Sequence, residues 1–499
     1  MSDADFIIIG SGPAGVCAAL PLVGAGHRVL MLDGTDGKEP APQPPGGQGL
    51  FEGLAPEDKL SPKLRTPLAR HALSRFAETN RISGENFVAI GSLVRGGLSR
   101  VWGGFATEFA ERDFAGWPIT RNDLAPSYKR ITERIGISGT HADAVGAELG
   151  TCGALQPPLP LGKASAALLR RYRSDNNALR LGLARNAVLS APLDGRPACD
   201  LRNACLWGCS IGAIYDSRQD LARLAQHANF RLVDCAPVLS VSKEEDCWQA
   251  CTADGRRFSA PGLLLAAGTL GSSRLVAPLL PAIQDWAVLS NPVMAAPMLV
   301  AAGLMAKPQP SHSLAQLAFF LSLKGGEEVS GAVYEIAGLP PSAFVNRLPL
   351  GRRAGAALFR LLAPGLMVAV TYFPGSYSRN RIHIDSAGSL KIIGGFDGAL
   401  DRLATETARR LRQSWRAMGA IPLPGAEMAV PGTDAHLAGT LAMGARTRMG
   451  TSTLGELAGQ PGLHIVDGAI LPSLPSRHVT LTIMANADRI GSELARRPH

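Results

Sequence analysis

The chain has 499 residues, more than one hydrophobic core usually serves, so two domains are expected. Apolar residues at 46% and charged residues at 18% exclude a disordered or fibrous chain and describe a soluble globular enzyme. The net charge of +9 comes from scattered arginines with no basic run or nucleic-acid motif, so it reads as a solvated basic surface and no nucleic-acid partner is expected.

The N-terminus enters a strand almost at once and lacks the pattern of a signal peptide. Gly, Pro or charge interrupts every apolar run before membrane-spanning length, so no membrane span is expected and a cytoplasmic location is the default. Eight cysteines at irregular spacing do not resemble a secreted disulfide framework.

Asp5-Phe6-Ile7-Ile8-Ile9 is a short continuous apolar run, as a central parallel strand requires. It leads into Gly10-Ser11-Gly12-Pro13-Ala14-Gly15, a helical stretch from Val16 to Val23, and a second strand, His27 to Leu32, ending in Asp33. Strand, glycine turn, helix, strand and acid form the dinucleotide fingerprint in its full context. Gly10 permits the tight turn, Gly12 lets backbone approach a pyrophosphate, and Gly15 lets helix and strand pack closely. The helix N-terminus then meets the phosphates, and Asp33 can accept from a ribose diol. This motif does not choose FAD over NAD. The following stretch, Gly34 to Phe51, is dense in Pro and Gly and reads as a loop.

Further along, Arg95 to Gly104 is a second glycine-rich segment, followed by Trp117-Pro118-Ile119-Thr120 and Asp123 to Tyr128. Cys199, Cys205 and Cys209 cluster within eleven residues, close enough in sequence for thiolates to hold an iron–sulfur centre, although free cysteines are often ordinary buried residues. Zinc lacks a suitably spaced fourth ligand. Phe230 to Val238 reads as a strand, and Leu263-Leu264-Leu265 as a buried strand running into the Gly268 turn. Between Pro292 and Gly395, strands are expected at Leu299–Ala302, Leu317–Leu321, Ala332–Ile336 and Met367–Tyr372, with a hairpin from Arg381 through Ala387-Gly388 to Ile393. Consecutive strands with short links suggest an antiparallel sheet. The C-terminal quarter carries His436-Leu437-Ala438-Gly439-Thr440, the strand Leu463 to Asp467, and Pro475 to Ala485 leading into a closing helix.

These landmarks resemble the glucose-methanol-choline (GMC) oxidoreductase family over most of the chain. The resemblance implies FAD, bound by Gly10, Gly12, Pro13, Ala14, Gly15 and Asp33 at the first turn. Gly97, Ser99, Val101, Trp102 and Gly103 would follow along the flavin, Val238 would stand near the adenine, and Gly268, Asp467, Gly468, Val479 and Thr480 would complete the site. Some relatives attach FAD covalently through a histidine where this chain has Val101, so a noncovalent flavin is expected. His436 is then the principal base and His478 its partner near flavin N5; imidazole suits the task because its pKa lies near working pH. Trp117 to Tyr128 is similar to a stretch of the sugar-oxidising branches, and the cysteine spacing to dehydrogenases whose iron–sulfur cluster passes electrons to a partner.

The expected fold is α/β plus antiparallel β. A discontinuous Rossmann-like FAD domain would comprise residues 1–150, 195–285 and 425–499, the last with the histidines, and a substrate domain residues 286–424. The expected activity is oxidation of a CH–OH group, the donor a sugar, glycoside or polyol and the acceptor oxygen or a redox partner. A non-carbohydrate alcohol, a flavin-retaining hydroxynitrile-type lyase and an inactive binding subunit are the rival readings.

Overall fold

Short, unbroken apolar runs become strands buried on both faces, and they form the centre of the molecule. In the computed structural model, which describes residues 2–35, 37–38, 62–174, 178–234, 236–280, 285–304, 310–323, 325–336, 345, 350–385, 388–447 and 449–497, Phe6–Ile9, Val29–Leu32 and Gly262–Leu265 lie side by side and fully buried. Phe230–Val233 and Leu463–Ile465 complete a five-stranded parallel sheet. Both ends of the chain thus meet in one sheet. Helix Pro13–Gly24 follows its first strand and packs against the closing helix Thr480–Leu494. The Pro- and Gly-rich stretch expected as a loop lies largely outside the described residues, as does Ala387 of the hairpin turn.

A second, antiparallel sheet has seven strands. Its order is Ala420–Pro422, Val293–Val300, Leu366–Tyr372, Glu328–Glu335, Leu317–Ser322 and Leu179–Leu183, with Glu427–Met428 also paired to Val293–Val300. Alternation along each strand divides its two faces. Phe319 packs with Trp415 and Leu411 of helix Ala399–Ala417, whereas its neighbour Phe320 belongs to a cluster on the other face with Phe105 and Ala332. A third sheet runs Leu437–Ala438, Asp285–Ser290, Asn380–Ile384, Leu390–Ile393 and Ile82–Glu85. It links the C-terminal segment to the antiparallel half of the molecule.

Two expected strands end elsewhere. The first of the middle strands is Val293–Val300, and the chain turns into a short helix at Ala301–Leu304. Phe230 to Val238 is two elements: one strand ends at Val233 and another, Val238–Glu244, begins after Pro237, whose missing N–H cannot continue a ladder.

Seven described cysteines are free thiols. Cys199, Cys205 and Cys209 pack against the small apolar cluster of Leu159, Val188, Ala213 and Leu314. Burial pushes the Cys199 thiol up, and that of Cys205 to about 11. Among the described residues no group of three or more His, Cys, Asp or Glu is placed to hold a metal ion. The iron–sulfur possibility thus finds no support in the placement of these cysteines. Among the described residues no helix is long and apolar enough to cross a membrane.

Candidate active site

The site starts at the first turn. Gly10 has φ +104, a region closed to most side chains, and a Cβ on Gly15 would collide with the Gly10 carbonyl. Gly12 caps helix Pro13–Gly24 without any side-chain hydrogen bond, so the unpaired amides of the first turn are left to the cleft in front of it. Asp33 at the end of the second strand is buried. It accepts from the amides of Ser11 (3.3 Å) and Thr35 (2.9 Å) and from the Ser11 hydroxyl. Burial raises its carboxyl and the Ser11 and Thr35 donors pull it back down.

The second glycine segment is stitched to this turn. Gly96 N donates to Ser11 Oγ at 2.9 Å, Ser99 Oγ to the Gly96 carbonyl at 2.6 Å, and Trp102 Nε1 to the Tyr215 carbonyl at 2.8 Å. Serine hydroxyls thus hold two stretches of bare backbone against each other. Gly10, Gly12, Pro13, Ala14, Asp33, Gly97, Ser99, Val101, Trp102, Gly103, Val238, Gly268, Asp467, Gly468, Val479 and Thr480 all line one continuous cleft with His436 and His478. Gly15 stands behind it, at the helix–strand contact. The cleft runs without a break from the glycine turn to the two histidines, a span that both N- and C-terminal segments of the chain line. Asp467 caps a short 3₁₀ turn, accepting from Ala469 N at 3.0 Å and from Ser272 Oγ at 2.5 Å, and burial pushes its carboxyl up to about 6.

At the far end the two histidines meet, their ring centres 5.0 Å apart and nearly perpendicular at 75°. His436 follows Ala435, a non-glycine residue held at φ +61, a strained conformation of the kind found at functional sites. Its Nδ1 lies 3.2 Å from Asn291 Oδ1 and 3.8 Å from Asp434 Oδ2. Tyr372 stacks on the His436 ring at 5.2 Å and meets the His478 ring edge-on at 4.6 Å. Phe105 closes on His478 from another side at 4.4 Å, and Thr107 Oγ1 donates to the His478 carbonyl at 3.1 Å. Tyr334 also lines the cleft. Burial holds the phenols of Tyr334 and Tyr372 well above their usual range.

Asn291, Phe105, Tyr334, Tyr372 and Asp434 were not among the residues marked from sequence. Asn291 carried one visible signal, a polar amide before Pro292 at the end of an apolar strand. The tyrosines carried none, because strand positions facing a core and facing a cleft look alike.

A parallel sheet, a glycine turn opening on a long cleft and a histidine pair at its end thus lie together in one site. Residues 376–487 match the family model described as GMC oxidoreductase. Among solved structures, the crystal structure of pyridoxine 4-oxidase from Mesorbium loti is similar with a TM-score of 0.60 at 15% identity, covering 100% of both chains. No curated protein sequence matches the chain.

Proposed function

We propose that the chain oxidises an alcohol carbon to a carbonyl with noncovalent FAD, and that the alcohol is carried on a flat, apolar-faced skeleton rather than on a sugar. The carrying observation is the paired His436 and His478, enclosed by Tyr372 and Phe105 at the end of the cleft. The residues fit FAD: bare glycine backbone and open helix amides face the phosphate region, and Asp33 lies at the ribose end. Val101, on the cleft wall, offers no atom for a covalent link. Bound there, FAD supplies the acceptor for the hydride.

The protein's own residues handle the proton. His436 takes it from the hydroxyl, and His478 orients that hydroxyl or shares the proton. The aromatic walls exclude water and offer stacking faces. The carbohydrate reading drew on Trp117 to Tyr128, none of which lines the cleft. Trp117 is core, its Nε1 donating to Ser473 Oγ at 2.7 Å, and the buried Tyr128 hydroxyl pairs with Thr482 Oγ1 at 2.7 Å. That stretch supports the fold and leaves the sugar without a residue to recognise it.

The test is anaerobic bleaching of the flavin-loaded protein by a panel of aromatic alcohols, pyridoxine and sugars. Aromatic alcohols are expected to bleach fastest, and His436→Gln to slow bleaching at least ~100-fold with flavin retained. Bleaching by sugars alone would overturn the substrate class. No bleaching by any alcohol would overturn the oxidation itself.

A further inference from the structure

Imidazole is a base only through the ring nitrogen that lacks a proton, so a catalytic histidine must be held in one tautomer. Asn291, just past strand Asp285–Ser290 and 2% exposed, turns its side-chain amide to the His436 ring.

Its amide hydrogens are both committed. Nδ2 donates to the Phe373 carbonyl at 2.8 Å and to the Pro475 carbonyl at 2.9 Å, and carbonyls can only accept. The amide therefore cannot be flipped, and the atom it turns toward His436 Nδ1, 3.2 Å away, is the acceptor Oδ1. An acceptor facing Nδ1 requires a proton there, which leaves the lone pair on Nε2. The Asn291 backbone N–H also donates to Asp434 Oδ2 at 3.0 Å, holding the loop that carries the histidine.

We propose that Asn291 is a positioning residue that locks His436 as the Nδ1–H tautomer and so makes Nε2 the base. Asn291 joins three segments distant in sequence, through Phe373, Pro475 and His436, so the tautomer is set by the tertiary fold. The titratable groups facing His436 are Asp434 on its own loop, Tyr372 from the antiparallel sheet and His478 from the turn before the closing helix. The lock rests on the alcohol-oxidation reading above, since it acts through His436.

Two substitutions separate this role from mere anchoring. Asn291→Leu keeps the volume and removes both the acceptor and the donors. Asn291→Asp keeps the acceptor, loses the two donors and adds a charge that favours imidazolium. Rates of anaerobic bleaching are taken per bound flavin, so molecules that lose cofactor or fold do not count. Asn291→Leu is expected to slow bleaching ~10–100-fold with KM unchanged. Asn291→Asp is expected to recover a rate within several-fold of the parent, with the acid limb of kcat/KM moved up by about one pH unit or more. An anchoring role predicts the reverse: Asp fails like Leu, because neither can donate to Phe373 and Pro475, and that result overturns the lock. A parent-like rate per flavin in Asn291→Leu overturns it too. His436→Gln, run alongside, keeps the two failures apart: if it bleaches like the parent, the reading of His436 is wrong, and otherwise only Asn291 is at stake.

Discussion

Asp467 is fully enclosed, and its two oxygens take their hydrogen bonds from Ser272 and the Ala469 amide. These donors favour the carboxylate, but desolvation outweighs them and carries the group from 3.8 to about 6. Because the folded value lies above the unfolded one, the cost of ionising is absent below about pH 4 and complete above pH 6. A rise from 3.8 to about 6 corresponds to roughly 3 kcal/mol of stability lost across that window. Asp467→Asn removes the titration while keeping an acceptor for Ala469. Denaturant unfolding at pH 4 and pH 7.5 is expected to show the variant gaining on the parent by one to a few kcal/mol at the higher pH, roughly as this shift requires. An equal gap at both pH values would contradict it.

Among the elements, the pair formed by Pro13–Gly24 and Thr480–Leu494 matters most for the cleft, since Pro13 and Thr480 at their N-termini both line it. The two helices cross where Gly491 faces Ala18, and a Cβ on Gly491 would collide with the Ala18 carbonyl. Backbone cannot yield there as a flexible side chain could. Gly491→Leu should cost about 3 kcal/mol or more, as overpacking of a fixed contact does, and should lower flavin content as the helix ends spread. Gly24→Ala is the control, because nothing lies within 4 Å of its added Cβ. It should leave melting temperature unchanged or slightly higher. A Gly491→Leu protein melting like the control would show that the crossing can relax.

At the scale of the molecule, Arg477 ties the halves together beside the histidine pair. It is 1% exposed in its side chain, and Nε meets Asp113 Oδ2 at 2.7 Å while Nη2 meets Glu148 Oε2 at 2.9 Å and Glu328 Oε1 at 3.4 Å. Its guanidinium also lies 4.7 Å above the Phe320 ring. Arg112 and Arg180 bridge the same two glutamates from outside. Glu328 belongs to the antiparallel sheet, so the residue preceding His478 is clamped to the opposite half of the protein. Arg477→Met deprives three half-buried carboxylates of a partner and should cost about 2 kcal/mol. Arg477→Lys should recover only part, since an ammonium cannot make the planar fork. Denaturant unfolding within 1 kcal/mol of the parent for Arg477→Met would mean the outer arginines suffice.

Much of this architecture was legible in the residue order because its cause is local. A glycine turn between an apolar run and a helix specifies its geometry within a dozen residues, so Gly10 to Asp33 could be read directly, and Gly268 and Asp467 lie at the same kind of strand-to-helix junction. His436 and His478 stood out by the motifs around them. The surroundings of those histidines were not legible: Phe105, Asn291, Tyr334 and Tyr372 arrive from separate strands, and a strand residue's facing depends on which sheet its strand joins. The same dependence bears on two stretches whose reading rested on resemblance. Cys199, Cys205 and Cys209 are near in sequence but pack as ordinary half-buried thiols, and Trp117 and Tyr128 resemble a sugar-site stretch but face the core. Local chemistry along the chain thus settles the glycine turns that open on the cleft. Long-range packing settles which side chains surround the histidine pair and which atom of Asn291 faces His436, because those contacts exist only once distant strands have met.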